Sequence, residues 1–241
     1  MRDATLLYSG KAKTIYRSEE PGLLIMEFRD DITAFDGGKK GTMKGKGTYN
    51  CCVSTYFFRM LESQGIPTHF MRVLDDHTLA VRALSMIPLE IIVRNVAAGS
   101  LVRNLPFREG QVLNPPVIVI DLKDDSRHDP MLNDDLILAL DIVSAAELQT
   151  IKQTALRINE VLKKFLSQKG ITLVDFKLEF GKSDEQIMVG DEISMDSMRL
   201  WDTHTGTSLD KDVYRFDKGD VMITYRTVAM QITGGECEEV K

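Results

Sequence analysis

The sequence predicts an α+β protein, with antiparallel strands and a small number of long helices. Three observations lead to this class: short apolar segments between turn residues in the first third, an amphipathic pattern over residues 145–168, and an alternating segment at 171–180. With 241 residues and 43% hydrophobic content, the chain is long enough to bury a substantial core. The sequence contains no internal repeat and no low-complexity segment, so neither a solenoid nor a disordered chain is predicted.

Five short strands are predicted in the first third, because β-branched, aromatic and aliphatic residues cluster there between turn residues. They cover residues 6–8, 14–16, 23–28, 69–74 and 78–84. Pro21 and Gly22 mark one turn, and Asp75, Asp76 and His77 mark another. This arrangement favours an antiparallel sheet.

Residues 37–47 (GGKKGTMKGKG) have no apolar periodicity and predict an exposed, mobile loop that could close over an anion. The apolar residues of segment 53–61 then recur at helical spacing, and Gly65 is suited to the end of a helix. One helix is therefore expected to pack on the sheet.

The strongest helix prediction is residues 145–168. Ser144 and Glu147 have the spacing of a capping box, and the apolar residues from 148 to 165 recur at helical intervals. Gly170 follows the last turn, where the chain is expected to leave the helix.

The most informative segment is ITLVDFKLEF at 171–180, which alternates like a strand. Its apolar residues point one way, and Asp175, Lys177 and Glu179 point the other. The expected partner is IMVGDE at 187–192, and the two strands are predicted to form the centre of a second α+β region. A charged face on an otherwise apolar strand is costly unless it lines a wet or ligand-filled cleft.

Further carboxylates follow this hairpin at Asp191, Glu192 and Asp196. Carboxylate oxygens are the ligands that Mg²⁺ prefers, so a nucleotide site with a metal ion is one interpretation. The alternative is an ordinary hairpin whose polar face is in water. The pairing register decides which carboxylates converge, and both interpretations stay open.

Three other segments could bind anions or move protons. In the first, Gly10, Lys11, Ala12 and Lys13 could approach phosphates, although the spacing is not that of a Walker motif and a solvated turn is the favoured alternative. In the second, Arg94 and Ser100 could form an anion pocket at a short helix, or Arg94 could pair with a surface acid. In the third, His128 and Asp129 could do acid or base work, but such residues are more often part of turns.

Charge and cysteine content narrow the class of protein. The net charge of −6 argues against a nucleic-acid partner, and no apolar run approaches the length of a membrane span. Three cysteines, two of them adjacent, predict neither a disulfide framework nor a metal-binding pair. Burial as small apolar residues is the expected role of Cys51 and Cys52. Without a recognisable secretion signal, the cytoplasm is the expected location.

Seven segments occur in the order and spacing of the SAICAR synthetase family, which this chain resembles over roughly residues 4–215. The segments are GKAKTIY, TAFDG, PLEIIVRNVAAGSLVR, LNPP, HDP, DFKLEFG and GDEISMDSMRLWD. Met195 departs from the proline that the family commonly has there, which puts the local shape around Asp196 in question. The resemblance implies ATP with Mg²⁺, carboxyaminoimidazole ribotide (CAIR) and L-aspartate as ligands, and a homodimer.

The resemblance also implies a fold of two lobes with a kinase-like ATP cleft: a β-rich N-terminal lobe at 1–86 and a larger α/β lobe at 87–241. It assigns nucleotide contacts to residues 10–13 and to a segment from Arg82 to Glu90, and the metal to Glu179 and Asp191. CAIR would contact Arg94, Ser100, Asp196 and Arg199, while Lys123, Asp129 and Lys177 would lie near the reacting groups.

Two functions from other classes compete with ligation. A small-molecule kinase would use the same lysines, carboxylates and cleft to phosphorylate a hydroxyl group. A non-catalytic nucleotide-binding module would hold Mg·ATP without turnover. Dependence of ADP release on aspartate separates these alternatives from a ligase.

Overall fold

The computed structural model describes residues 5–184 and 186–238, and it confirms the α+β class. A five-stranded antiparallel sheet occupies the N-terminal part of the chain, with the strand order β1-β2-β3-β7-β6. Its strands are β1 (Leu6–Ser9), β2 (Lys13–Arg17), β3 (Leu23–Phe28), β6 (Phe70–Asp75) and β7 (Thr78–Arg82). All five predicted strands are therefore present, with boundaries within two residues of those expected.

A second antiparallel sheet lies in the C-terminal part, with the order β10-β9-β8-β11-β12 and with β13 also paired to β11. Its strands are β8 (Ser85–Val96), β9 (Val112–Leu122), β10 (Met131–Leu132), β11 (Ile171–Ser183), β12 (Gln186–Gly190) and β13 (Met198–Asp202). The prediction that β11 pairs with β12 is confirmed. Of these two strands only β11 is interior, since it lies between β8 and β12, whereas β12 is at the end of this order.

Six α-helices complete the described chain: α1 (Lys46–Ser63), α2 (Ser100–Asn104), α3 (Asp134–Ala139), α4 (Ala145–Gln168), α5 (Asp212–Arg215) and α6 (Val221–Thr233). The predicted helix at 145–168 is confirmed, including the capping box between Ser144 and Glu147. Apolar residues of α1, α4, α6 and both larger sheets share one continuous core. Within the described residues, no helix is both long and apolar enough to cross a membrane.

The prediction of an exposed loop at 37–47 is wrong. Residues Lys39–Thr42 form strand β5, which pairs with β4 (Asp31–Ala34), and α1 begins at Lys46. The hairpin is held against α5, because Lys39 Nζ donates to the carbonyl of Tyr214 at 2.6 Å. Lys46 is only 1% exposed and forms an ion pair with Asp196 at 2.6 Å. Packing against distant parts of the chain orders a segment that has no periodicity of its own.

The expectation of no disulfide is also wrong. Cys52 on α1 is bonded to Cys237, 185 residues away, just beyond α6. Cys51 is the free cysteine, and its burial raises the pKa of the thiol to about 12, so it stays an inert apolar side chain. The inference of a reducing compartment rested on the absence of a disulfide and loses that support.

A short segment after α1 joins the two large sheets. The N–H of His69 donates to the carbonyl of Val189 on β12 at 2.9 Å, and the N–H of Arg82 on β7 donates to the carbonyl of His69 at 2.7 Å. Backbone hydrogen bonds on both sides therefore fix the position of one sheet relative to the other near the end of β12.

Candidate active site

The charged face of β11 is buried, so the alternative of a hairpin with its polar face in water does not hold. Asp175 is 4% exposed and Glu179 is 3% exposed. Because β11 has neighbours on both sides, Glu179 lies opposite Glu90 on β8 and opposite Gly190 on β12. Buried carboxylates need cationic or hydrogen-bonding partners, and the structure supplies them.

Two lysines neutralise Glu179. Lys177 Nζ lies 3.0 Å from Glu179 Oε1 and 2.6 Å from Glu90 Oε1, and Lys123 forms an ion pair with Glu179 Oε2. Burial alone lowers the pKa of Lys177, but the charges of Glu179 and Glu90 raise it above its usual value. Lys177 is therefore a permanent cation between two carboxylates.

Asp191 follows β12 directly and has a left-handed backbone conformation, with φ at 57°. Its carboxylate pairs with Lys13 Nζ at 2.5 Å, and the same ammonium group contacts Glu192 at 2.7 Å. Burial raises the pKa of Asp191, but the charges of Lys13 and Lys177 lower it below its usual range. Lys13 belongs to the N-terminal sheet, so this ion pair crosses from one sheet to the other.

Glu179 and Asp191 both act on the same lysine, Lys177. Gly190, the residue before Asp191, pairs across the ladder with Glu179, and Lys177 interacts electrostatically with both carboxylates. The donor set fits a hard divalent cation, since it offers carboxylate oxygens from two residues whose present partners are lysine ammonium groups. The arrangement has the charge and the oxygen ligands that a metal–triphosphate requires.

A second cluster surrounds Asp175. Arg94 Nη1 and Arg199 Nη1 both donate to Asp175 Oδ2, at 2.9 and 2.8 Å. Arg94 Nη2 donates to Ser100 Oγ at 2.9 Å. The structure thus brings together the predicted anion pocket, and Arg94 pairs with a buried acid, not with a surface one. Gly99 is required here, because a Cβ atom would lie 2.4 Å from the Arg199 guanidinium.

Asp196 is not part of that pocket surface. Its carboxylate accepts hydrogen bonds from Lys46 Nζ and from the Tyr225 hydroxyl group, both at 2.6 Å, and its side chain is 3% exposed. Met195 beside it is also buried, so the departure from proline places an apolar side chain in the core. In this structure, Asp196 holds α1 and α6 together behind the site.

The other predicted residues lie around these two clusters. Lys11 forms an exposed ion pair with Asp125. The N–H of Gly10 donates to the carbonyl of Lys13, and the carbonyl of Ala12 accepts from the N–H of Arg29. Arg82 places its guanidinium 3.9 Å from Met71 Sδ, on the exposed side of the sheet. Asp129 accepts a hydrogen bond from the N–H of Asp124 at 2.8 Å.

The residues of this region that sequence reasoning missed include Lys46, His69 and Asp121. Asp121 lies opposite Glu90 on β9, and its burial, together with the charge of Glu90, raises its pKa to about 6. The sequence could have indicated Asp121, because it is the only acidic residue in the apolar segment 117–122. Nothing in the local pattern distinguishes Lys46 from its neighbouring lysines.

His69 gives a testable pH dependence of stability. Burial of the His69 imidazole lowers its pKa most, Asp191 raises it in part, and the charge of Lys13 lowers it again. The resulting pKa is about 4, below the ordinary 6.5. Its stabilisation is therefore fully present above pH 6.5 and is lost as the pH falls through 4; the shift corresponds to about 3 kcal/mol. Because the loss accrues between pH 6.5 and pH 4, urea unfolding at pH 7.5 and pH 5 should show about 2 kcal/mol of it. His69→Gln should reduce this difference.

The control for that experiment is His204→Gln, because His204 is exposed. The stability of the His204→Gln variant should depend on pH in the same way as that of the unsubstituted protein. An unchanged difference between pH 7.5 and pH 5 in the His69 variant would mean that other groups account for the acid sensitivity.

Comparison with known proteins identifies close relatives. The sequence model of the family described as SAICAR synthetase matches residues 6–232. A phosphoribosylaminoimidazole-succinocarboxamide synthase from Methanoregula boonei is 65% identical, over 97% of this chain and 91% of that protein. A solved SAICAR synthetase in complex with ADP is 50% identical, with a TM-score of 0.91 over 94% of this chain and 97% of that one. The corresponding synthase from Ehrlichia chaffeensis is 39% identical, with a TM-score of 0.92 over 94% of this chain and 98% of that chain.

Proposed function

The chain belongs to the SAICAR synthetase family, and from this membership we infer the reaction that it catalyses. It is an ATP-dependent carbon–nitrogen ligase of purine biosynthesis. It joins the carboxylate of CAIR to the amino group of L-aspartate and releases SAICAR, ADP and phosphate. The observation that carries this conclusion is the family match over residues 6–232. The pairing of Lys13 with Asp191 beside the buried Glu179–Lys177 pair is where we propose that the reaction takes place.

The nucleotide is proposed to bind between the two large sheets. Lys11 and Lys13 would contact its phosphates, with the backbone of Gly10 and Ala12 close by, and the segment from Arg82 to Glu90 would border the adenine. Support comes from the position of Lys13, which reaches across to Asp191. A relative of this chain has been solved in complex with ADP.

Glu179 and Asp191 are proposed to hold Mg²⁺. When bound, the ion would neutralise charge on the phosphoryl oxygens. Because Glu179 would then bind the ion, Lys123 and Lys177 would no longer pair with it. Their ammonium groups could contact substrate oxygens instead. This role suits them, since lysine is a compact charge on a flexible stem.

CAIR is proposed to occupy the pocket of Arg94, Ser100 and Arg199. Two guanidinium groups and a hydroxyl group can bind a phosphate through charge-assisted hydrogen bonds. Asp175 keeps both guanidinium groups oriented, because each donates to the same carboxylate. Asp196 contributes indirectly, through the fixed position of the turn at 191–197.

The chemistry needs an activated carboxylate, because oxide is a very poor leaving group. Phosphoryl transfer from ATP to the CAIR carboxylate would give an acyl phosphate and ADP. The amine of aspartate would then attack the acyl carbon, form the amide bond and expel phosphate. The lysines at 11, 13, 123 and 177 would stabilise the negative charge that develops during both steps.

A base must remove a proton from the attacking amine. Asp129 is the candidate from sequence, because a carboxylate near the reacting groups could accept this proton. A substrate carboxylate is the other candidate. Asp129→Asn would lower turnover strongly only if Asp129 is the acceptor.

The experiment that tests the proposed reaction is ADP formation from ATP, Mg²⁺ and CAIR, with aspartate present or withheld. A ligase gives sustained ADP release only with aspartate. Sustained release without aspartate would indicate a kinase or a hydrolase, and no release under any condition would indicate a binding module. Family membership favours neither alternative.

Arg199→Ala tests the CAIR pocket. The Arg199 guanidinium donates to Asp175 and to Asp212 but has no contact with the Lys13–Asp191 pair. We therefore expect the KM for CAIR to rise at least tenfold, by the magnitude of one charge-assisted interaction, with the KM for ATP changed much less. An equal rise in both constants would place Arg199 outside the CAIR pocket.

Three further features are proposals that rest on the resemblance alone. They are a boundary between lobes at residues 86 and 87, a homodimer, and a cytoplasmic location. Sedimentation equilibrium tests the dimer directly. A single species with the mass of one 27.2 kDa chain at micromolar concentration would contradict it.

A further inference from the structure

The cations of the cleft differ in whether the protein supplies a carboxylate partner. Each of the following has one within ion-pairing distance: Lys13, Lys46, Arg94, Lys123, Lys177, Arg199 and Arg215. Lys211 is different. Across residues 5–184 and 186–238, its ammonium group has neither a hydrogen bond nor an ion pair at such a distance. This cation is available to a ligand.

The position of Lys211 is fixed by its neighbours. Its carbonyl accepts hydrogen bonds from the N–H groups of Tyr214 and Arg215 in α5. Asp210 before it is fully buried and accepts from the N–H groups of Leu200 and Asp212. The backbone that carries Lys211 is therefore held rigidly against β13.

Lys211 lies beside both clusters of the active site. Asp212, the next residue, accepts a hydrogen bond from Arg199 Nε at 3.1 Å and so belongs to the CAIR pocket. The charges of Asp196 and Glu192 also act on the Lys211 ammonium group. Both residues follow Asp191 in the turn at 191–197. Lys211 thus adjoins the CAIR pocket through Asp212, and the charges of the turn at 191–197 reach its ammonium group.

The surroundings of Lys211 do not compensate its charge fully. Burial, together with the repulsion of Arg215 and Lys46, outweighs the attraction of Asp196 and lowers the pKa of the ammonium group. A half-buried cation in such a position is costly for the folded protein, and an anionic ligand would remove that cost.

The three substrates differ in the cations already assigned to them. The ATP phosphates have Lys11, Lys13 and the metal, and CAIR has Arg94 and Arg199. Aspartate brings two carboxylates, and no cation has been assigned to either. We propose that Lys211 binds a carboxylate of the aspartate substrate and so selects a dicarboxylic amino acid as the attacking amine. This inference rests on the proposed ligase function.

The test compares Lys211→Gln with Lys211→Arg, and Lys218→Gln serves as the matched control. Lys218 lies on the same segment, but its ammonium group contacts only Ser208 and the Phe216 ring among the described residues. The KM for each substrate is measured with the other two saturating, and thermal unfolding verifies that each variant is folded.

We expect Lys211→Gln to raise the KM for aspartate at least tenfold, with the KM values for ATP and CAIR within about twofold of the unsubstituted enzyme. Lys211→Arg should retain most of the affinity for aspartate, since it keeps the charge, and Lys218→Gln should change none of the three constants. If Lys211→Gln does not fold, Lys211→Met is measured in its place with the same expectation.

Two results would overturn the inference: an unchanged KM for aspartate, or a rise in the KM for CAIR as large as that for aspartate. The second result would assign Lys211 to the CAIR phosphate. Failure of the ligase proposal looks different, because the unsubstituted protein itself would then release ADP without needing aspartate, or not at all.

Discussion

Asp191→Asn is expected to lower kcat by roughly 10² to 10³-fold, which corresponds to the several kcal/mol that a metal ligand contributes to a charged transition state. Asparagine removes the negative charge that pairs with Lys13 and is proposed to bind Mg²⁺. The backbone should not change, because asparagine tolerates the left-handed conformation that residue 191 adopts. Steady-state ADP release at saturating substrates measures the effect.

The matched control is Asp184→Asn. Asp184 also has a positive φ, at 52°, but it lies in the turn between β11 and β12, away from Lys13. The Asp184→Asn variant should retain full activity. Near-normal turnover in the Asp191 variant, with the same thermal stability, would remove Asp191 from the mechanism.

Cys237→Ser is expected to cause the largest loss of stability. The disulfide closes a loop between residues 185 positions apart, and the chain-entropy estimate for a loop of that size is about 5 kcal/mol. For a chain of this length, such a loss lowers Tm by roughly 10–20 °C. Thermal unfolding by circular dichroism, with and without dithiothreitol, measures the difference.

Reduction of the unsubstituted protein should give the Tm of the Cys237 variant, and the variant itself should not respond to dithiothreitol. Cys51→Ala is the control for a change at a neighbouring buried thiol that forms no cross-link. Equal Tm values for oxidised, reduced and Cys237→Ser protein would show that the cross-link does not stabilise the fold.

Much of the fold follows from local patterns. The strands of the first sheet were predictable because turn residues bound each of them, and α4 because its capping box and its apolar stripe agree. The charged face of β11 was predictable from alternation alone. Its burial was not, because that depends on β8 and β12, which flank it on both sides.

The misses share a physical cause, since each depends on contacts between residues far apart in sequence. The hairpin of β4 and β5 is ordered by Tyr214, about 175 positions from Lys39. Lys46 is buried because Asp196, 150 residues later, is its partner. The pairing of Cys52 with Cys237 depends on how α6 packs on α1, and no cysteine spacing encodes that arrangement.

The carboxylates of Glu179 and Asp191 are proposed to share one divalent cation at the nucleotide phosphates. The most direct measurement is an anomalous difference map from crystals grown with ADP and Mn²⁺, which replaces Mg²⁺ and scatters anomalously. We expect a single strong peak about 2.2 Å from an oxygen of each carboxylate, next to a phosphate oxygen. The shared cation would be contradicted by a map with bound nucleotide but no peak between the two carboxylates. In that case Glu179 would keep its ion pairs with Lys123 and Lys177, and Asp191 its ion pair with Lys13.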